Sequence, residues 1–225
     1  EFGASSLFVY YANRDTLNRL SEVNAFTFFT LAKQYGLWID HALYSNQNKW
    51  FALGRLRFQS FPLLYHGIGP NTPEHPLAQV NANMVQIKER LLRKAYHNLY
   101  FGFEADYQKL GDVAFVKETS ETFALPRGYA GSSNFGLGLG VLYDGRHNIL
   151  NVRKGFFSEL AFLQYHTGLG SEYTFSTITT DVRVYRPVNR RDVLAAQLFG
   201  QFNTGDTPFN QLALLGGETI MRGYY

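Results

Sequence analysis

The sequence predicts an all-β fold, an antiparallel transmembrane β-barrel of about ten strands. Three observations predict it. Apolar residues recur at every second position through much of the chain, the period of a strand with two unlike faces. The alternating runs approach the roughly 9–11 residues that cross a bilayer when tilted, against about five or six in soluble strands. The composition is diluted: hydrophobic residues make up 45%, aromatics 16% and charged residues 17%, below the roughly 25% of soluble domains, and mean hydropathy is −0.20.

The elements follow in chain order. Loose alternation near residues 4–13, 22–33 and 35–45 predicts three strands. At 50–59, Trp50, Ala52, Leu56 and Phe58 oppose Arg55, Arg57 and Gln59. At 80–93, Val85, Ile87 and Leu91 oppose Gln86, Lys88 and Arg90. The segment "QIKERLLRKAY" would also suit a helix on propensity alone. At 97–107, Leu99, Phe101, Phe103, Ala105 and Tyr107 oppose Tyr100, Gly102, Glu104 and Asp106. At 134–143, Phe135, Leu137, Leu139, Val141 and Tyr143 alternate with glycines. Further strands are expected near 157–167, 171–185 and 192–203, the last with Leu194, Ala196, Leu198 and Phe202 opposite Gln197 and Gln201.

Pattern alone does not say which face is outside. A soluble sandwich puts its apolar face inward, whereas a membrane barrel turns it to lipid and keeps the lumen polar. Strand length, aromatic density and charges such as Arg55 and Arg57 favour the barrel. Arg55, Arg57, Lys88 and Glu104 are then expected to face the lumen, and Phe101, Phe103, Leu137 and Leu139 the lipid. Tyr10, Tyr11, Tyr44, Trp50, Tyr100, Tyr107, Tyr143 and Tyr165 lie toward strand ends and are candidate interface anchors. Between strands, 66–76 and 109–133 are expected as long loops, and 145–155 and 186–192 as shorter polar turns.

Chemistry is sparsely marked. With no cysteine, thiolate metal sites, disulfides and cysteine nucleophiles are excluded. A formal net charge of +3 is too small to imply nucleic-acid binding. The six histidines form no close pair of ligand spacing, although His66, Glu74 and His75 share a loop. No serine lies in a nucleophile elbow. No catalytic residue, metal site or cofactor is predicted.

Two motifs carry a resemblance. In "GLGLGVLYDGRHNILNVRKGFFSELAFLQY" (136–165), a strand runs into a D-x-R-x-N turn of Asp144, Arg146 and Asn148, and Lys154-Gly155 opens the next strand. Val152 stands where proline is usual. In "GGETIMRGYY", Gly216, Gly217, Arg222, Gly223 and Tyr224 are similar to a GG-x-x-x-V-R-G-[FY] signature, with Met221 at the valine. Both resemble the BamA/TamA superfamily of outer-membrane barrels, and "YHGIGPNT" (65–72) resembles a segment of its Bacteroidetes-type members.

The resemblance implies one partial barrel domain over 1–225, with 204–225 an extracellular loop folded into the lumen and Arg222 bonding luminal carboxylates there. It implies a Gram-negative outer-membrane location and a non-catalytic role in inserting or translocating other proteins, by strand templating at the barrel seam. Partners would be outer-membrane lipids, unfolded outer-membrane protein clients and lipoproteins. A passive pore, or the barrel of a lipase-fused member, is the alternative. Because the family's closing strands follow the arginine loop, the chain is expected to lack them.

Overall fold

The computed structural model describes residues 2–60, 62–119, 122–147 and 151–214. Their strands are β1 (Phe2–Tyr11), β2 (Leu20–Phe29), β3 (Tyr35–Tyr44), β4 (Trp50–Ser60), β5 (Leu63–Tyr65), β6 (Ala78–Tyr96), β7 (Leu99–Lys117), β8 (Ser132–Asp144), β9 (Gly155–Tyr165), β10 (Phe175–Pro187) and β11 (Val193–Gly205). All belong to one sheet in which sequence neighbours pair antiparallel, except that short β5 stands aside and β4 pairs with β6. Among the described residues β1 pairs only with β2 and β11 only with β10, so the sheet is open. No α-helix occurs among them.

The segment 86–96, which propensity alone would also suit to a helix, is strand. Both its edges are occupied, by β4 and by β7, so its backbone groups are satisfied in the ladder. The expected loop at 109–133 is corrected at its start, because β7 continues to Lys117. The Gly111-Asp112 pair reads as a turn, but Asp112 takes φ 53° beside a register shift at Asn81/Asn83. That is a β-bulge, which bends a strand without ending it.

The two faces differ as the alternation requires. Along β7, β8 and β9 exposed and less exposed positions alternate for most of each strand. Phe101 (47%), Phe103 (72%), Leu137 (43%) and Leu139 (44%) are exposed, whereas Glu104 is 1% exposed. The buried face is concave. Arg90 of β6 pairs with Glu159 of β9, and Tyr165 of β9 donates to Asp106 of β7; contacts that skip strands require a curled sheet. Gly138 permits the close approach of β8 and β9, since a Cβ there would run into the backbone of Phe162 and Leu163.

The ends of the strands also differ. Connections 12–19, 45–49, 97–98, 145–154 and 188–192 lie at one end, and 30–34, 61–77, 118–131, 166–174 and the segment after β11 at the other. These are called the turn end and the loop end.

Candidate functional site

The concave face is built in three tiers. At the turn end, Tyr44, Phe51, Leu92, Tyr100, Leu142 and Phe157 from β3, β4, β6, β7, β8 and β9 form one buried cluster, each no more than 7% exposed. Tyr44 stacks on Phe51 with ring centroids 4.4 Å apart, and Tyr100 meets Phe51 edge-on at 6.2 Å. These side chains make an apolar floor where the polar phase of each strand would put water-loving groups.

Charge closes over that floor. Asp144 accepts bonds from Arg146 Nε and Nη2, each at 2.8 Å, and from the Arg146 amide at 3.2 Å. The D-x-R pattern is therefore a local carboxylate–guanidinium fork that closes its own turn. Across the turn Gly155 takes φ 136°, and a Cβ there would strike the backbone of Gly145 and Arg146; only glycine suits the position. Arg19 from the first turn also pairs with Asp144. Burial works to lower the Arg19 guanidinium, but Asp144 and Tyr44 beside it outweigh that and raise it, so it stays charged.

The middle tier is a charge network. Arg55 and Arg57 both reach Asp40, at 3.2 and 2.8 Å, and Arg57 also lies over the Trp38 ring at 5.0 Å. Lys88 Nζ and Arg90 Nε lie 2.8 and 3.1 Å from Glu104 Oε1. Arg90 continues to Glu159, and Arg183 pairs with Asp181 at 2.5 Å. Tyr165 donates its hydroxyl to Asp106 at 2.5 Å. Buried charges persist when paired in this way.

At the loop end the chain leaves β11 and crosses the concave face. Asn134 of β8 donates to Gln211 Oε1 at 2.9 Å, Ser132 to Asn210 at 3.1 Å, and Asn203 to the Gln211 carbonyl at 2.7 Å. Between this segment and the charge network lies a cavity of about 580 Å³, whose lining includes Lys88, Arg90, Asp106, Tyr165, Gln211 and Leu214.

The structure thus sets Arg55, Arg57, Lys88 and Glu104 on the concave face and brings Asp144, Arg146 and Gly155 into one turn. Asn148 and the signature residues Gly216, Gly217, Arg222, Gly223 and Tyr224 lie outside the described residues. The anchor set is corrected. Tyr10, Tyr11, Trp50 and Tyr143 are exposed, but Tyr44, Tyr100 and Tyr165 are buried at 5%, 2% and 3% on the concave face. Among the described residues no three His, Asp or Glu side chains group as a metal site, so His66, Glu74 and His75 do not. Sequence reasoning missed Arg19 and the floor. The one signal of the floor was apolar residues in the polar phase at the turn-side strand ends.

An antiparallel sheet with an apolar convex face, a charged concave face and long loops at one end is the wall of a transmembrane β-barrel. The chain belongs to the Omp85 superfamily: the Omp85 superfamily domain matches residues 56–225. No curated protein matches it. Among solved structures it is similar to BamA from Haemophilus ducreyi lacking POTRA domains 1–3, with TM-score 0.52 and 14% identity. That match covers 96% of this chain and 44% of the BamA chain, so the chain spans less than half the length of that relative.

Proposed function

We propose that the protein is the outer-membrane barrel of an apparatus that inserts or translocates other proteins, and that it works by strand templating. Unfolded outer-membrane proteins are its clients and lipoproteins its accessory partners. No bond is made or broken. A client strand adds to a free sheet edge through backbone hydrogen bonds, as in β-augmentation.

The observation that carries this reading is the make-up of β1. Among the described residues it pairs with β2 alone. After Phe2, the run Gly3-Ala4-Ser5-Ser6 offers small side chains that contribute little cross-strand packing. An edge with intact backbone groups and weak side-chain contacts can exchange partners. The apolar floor favours this over a passive pore, which needs an open polar passage. On the same reading the loop expected over 204–225, which begins only after β11 ends at Gly205, is folded inward, and the contacts of Asn210 and Gln211 support that course for its described part.

A photo-crosslinking residue at Ser5 tests the proposal in cells. It is expected to capture newly made outer-membrane proteins, whereas the same residue at Leu139 on the convex face captures lipid or nothing. Equal client capture at both positions, or none at Ser5, would overturn templating at this edge.

A further inference from the structure

We infer that the turn-end rim of the sheet is a binding surface for anionic phospholipid headgroups, centred on Lys154, Arg186, Arg190 and Arg191. The charge of the connections is sorted by end. The turns carry Arg14, Arg19, Lys49, Arg146, Arg153, Lys154, Arg190 and Arg191 against Asp15 and Asp192, with Arg19 and Arg146 held by Asp144. The described loops carry Lys33 and Arg127 against Glu74, Glu118, Glu172 and Asp206. A small overall charge therefore hides a basic rim at one end.

The rim is densest where two turns meet. Arg153 donates to the carbonyls of Asn189 and Arg190, at 3.2 and 2.7 Å, and so ties the 145–154 turn to the 188–192 turn. This brings Lys154, Arg190 and Arg191, all exposed, to one corner. Asp192 is occupied by the Asn189 amide within its own turn. Among the described residues none of the four central cations pairs with a carboxylate.

The position of Arg186 selects lipid over a soluble acidic partner. In β10 the concave positions are Thr177, Thr179, Asp181 and Arg183, so Arg186 falls in the convex phase with Ile178, Val182 and Val184. Its cross-strand neighbour is Leu194, 65% exposed, and Val184 beside it pairs with Phe156, 41% exposed. An exposed guanidinium at the lower margin of an apolar belt suits a membrane interface, with its stem on apolar surface and its charge at the phosphate plane. The same arrangement recurs on β4 and β6, where Arg93 lies over the exposed Trp50 ring at 5.7 Å. These cations are flanked by exposed apolar residues, and a ligand must match both kinds of group. Headgroup phosphates beside buried acyl chains match both.

The inference rests on the membrane-barrel reading, and its test separates the two. The purified protein is reconstituted into vesicles of phosphatidylcholine with or without phosphatidylglycerol, and retained lipids are counted by native mass spectrometry. The wild type is expected to insert in both and to keep phosphatidylglycerol selectively. The triple variant Lys154→Gln/Arg190→Gln/Arg191→Gln should insert equally but retain at least about tenfold less, since each cation near an anionic surface is worth roughly fivefold. The variant Arg190→Lys/Arg191→Lys should behave as wild type. Equal phosphatidylglycerol retention by wild type and triple variant would overturn the inference. Failure of the wild type to insert in either vesicle would overturn the barrel reading and the inference with it.

Discussion

Arg19, in the first turn, and Asp144, at the end of β8, form a salt bridge across 125 positions of sequence. The bridge holds the β1–β2 hairpin over the apolar floor. Asp144 has a second partner in Arg146, so the two ends of the bridge are not equivalent. Arg19→Ala leaves Asp144 paired and is expected to cost about 1.5–3 kcal/mol, the range for a hydrogen bond to a charged group. Asp144→Ala strands two guanidinium groups and is expected to cost about 3–5 kcal/mol. Denaturant midpoints of the two variants in detergent check the order. Equal losses would mean that Arg146 does not share the carboxylate.

The floor should behave as a protein core rather than a wet lumen. Leu92 is 1% exposed among aromatic rings. Leu92→Ala is expected to cost about 2–5 kcal/mol, the range for a cavity in a packed core. A loss below half a kcal/mol, set against that range, would show a floor that collapses or is hydrated.

Much of this was legible in the sequence, for physical reasons. Alternation along β7 and β8 gave Phe101, Leu137 and Leu139 one face and Glu104 the other, because side chains in a strand project with period two. The D-x-R turn was legible because its carboxylate and guanidinium are two residues apart. The floor was not, since Tyr44, Leu92, Tyr100 and Phe157 appear in sequence only as breaks in alternation at strand ends. The partner of Arg19 lies far along the chain, and no local pattern encodes it. The end of β7 was misplaced because a bulge at Asp112 has the residues of a turn.

Depth in the bilayer should grade substitutions on the convex face. Leu139 lies well inside β8, whereas Phe101 is two positions from the turn-side start of β7. Leu139→Arg is expected to cost about 2–4 kcal/mol and Phe101→Arg nearer 0–1 kcal/mol, following the fall from midplane to interface. Folding into vesicles, followed by denaturant titration, measures both. Matching costs would remove the depth gradient.

Gly138 tests the curl of the sheet. A side chain there meets backbone, which cannot swing aside as a flexible side-chain end could. Gly138→Val is expected to reduce folded yield sharply, while Gly111→Val, at a position with open space, should fold. Heat-modified migration on a gel reports each. Normal folding of Gly138→Val would show that β8 and β9 need no such approach.

The central claim, that the apolar convex face meets lipid and the charged concave face meets water, has a direct test. The chain has no cysteine, so Leu139→Cys and Gln86→Cys each provide one labelling site, on the convex and concave faces respectively. A fluorophore on each is read in vesicles against brominated lipid chains and against aqueous iodide. The account predicts lipid quenching at position 139 and iodide quenching at position 86. The reverse pattern, or equal quenching at both, would contradict it.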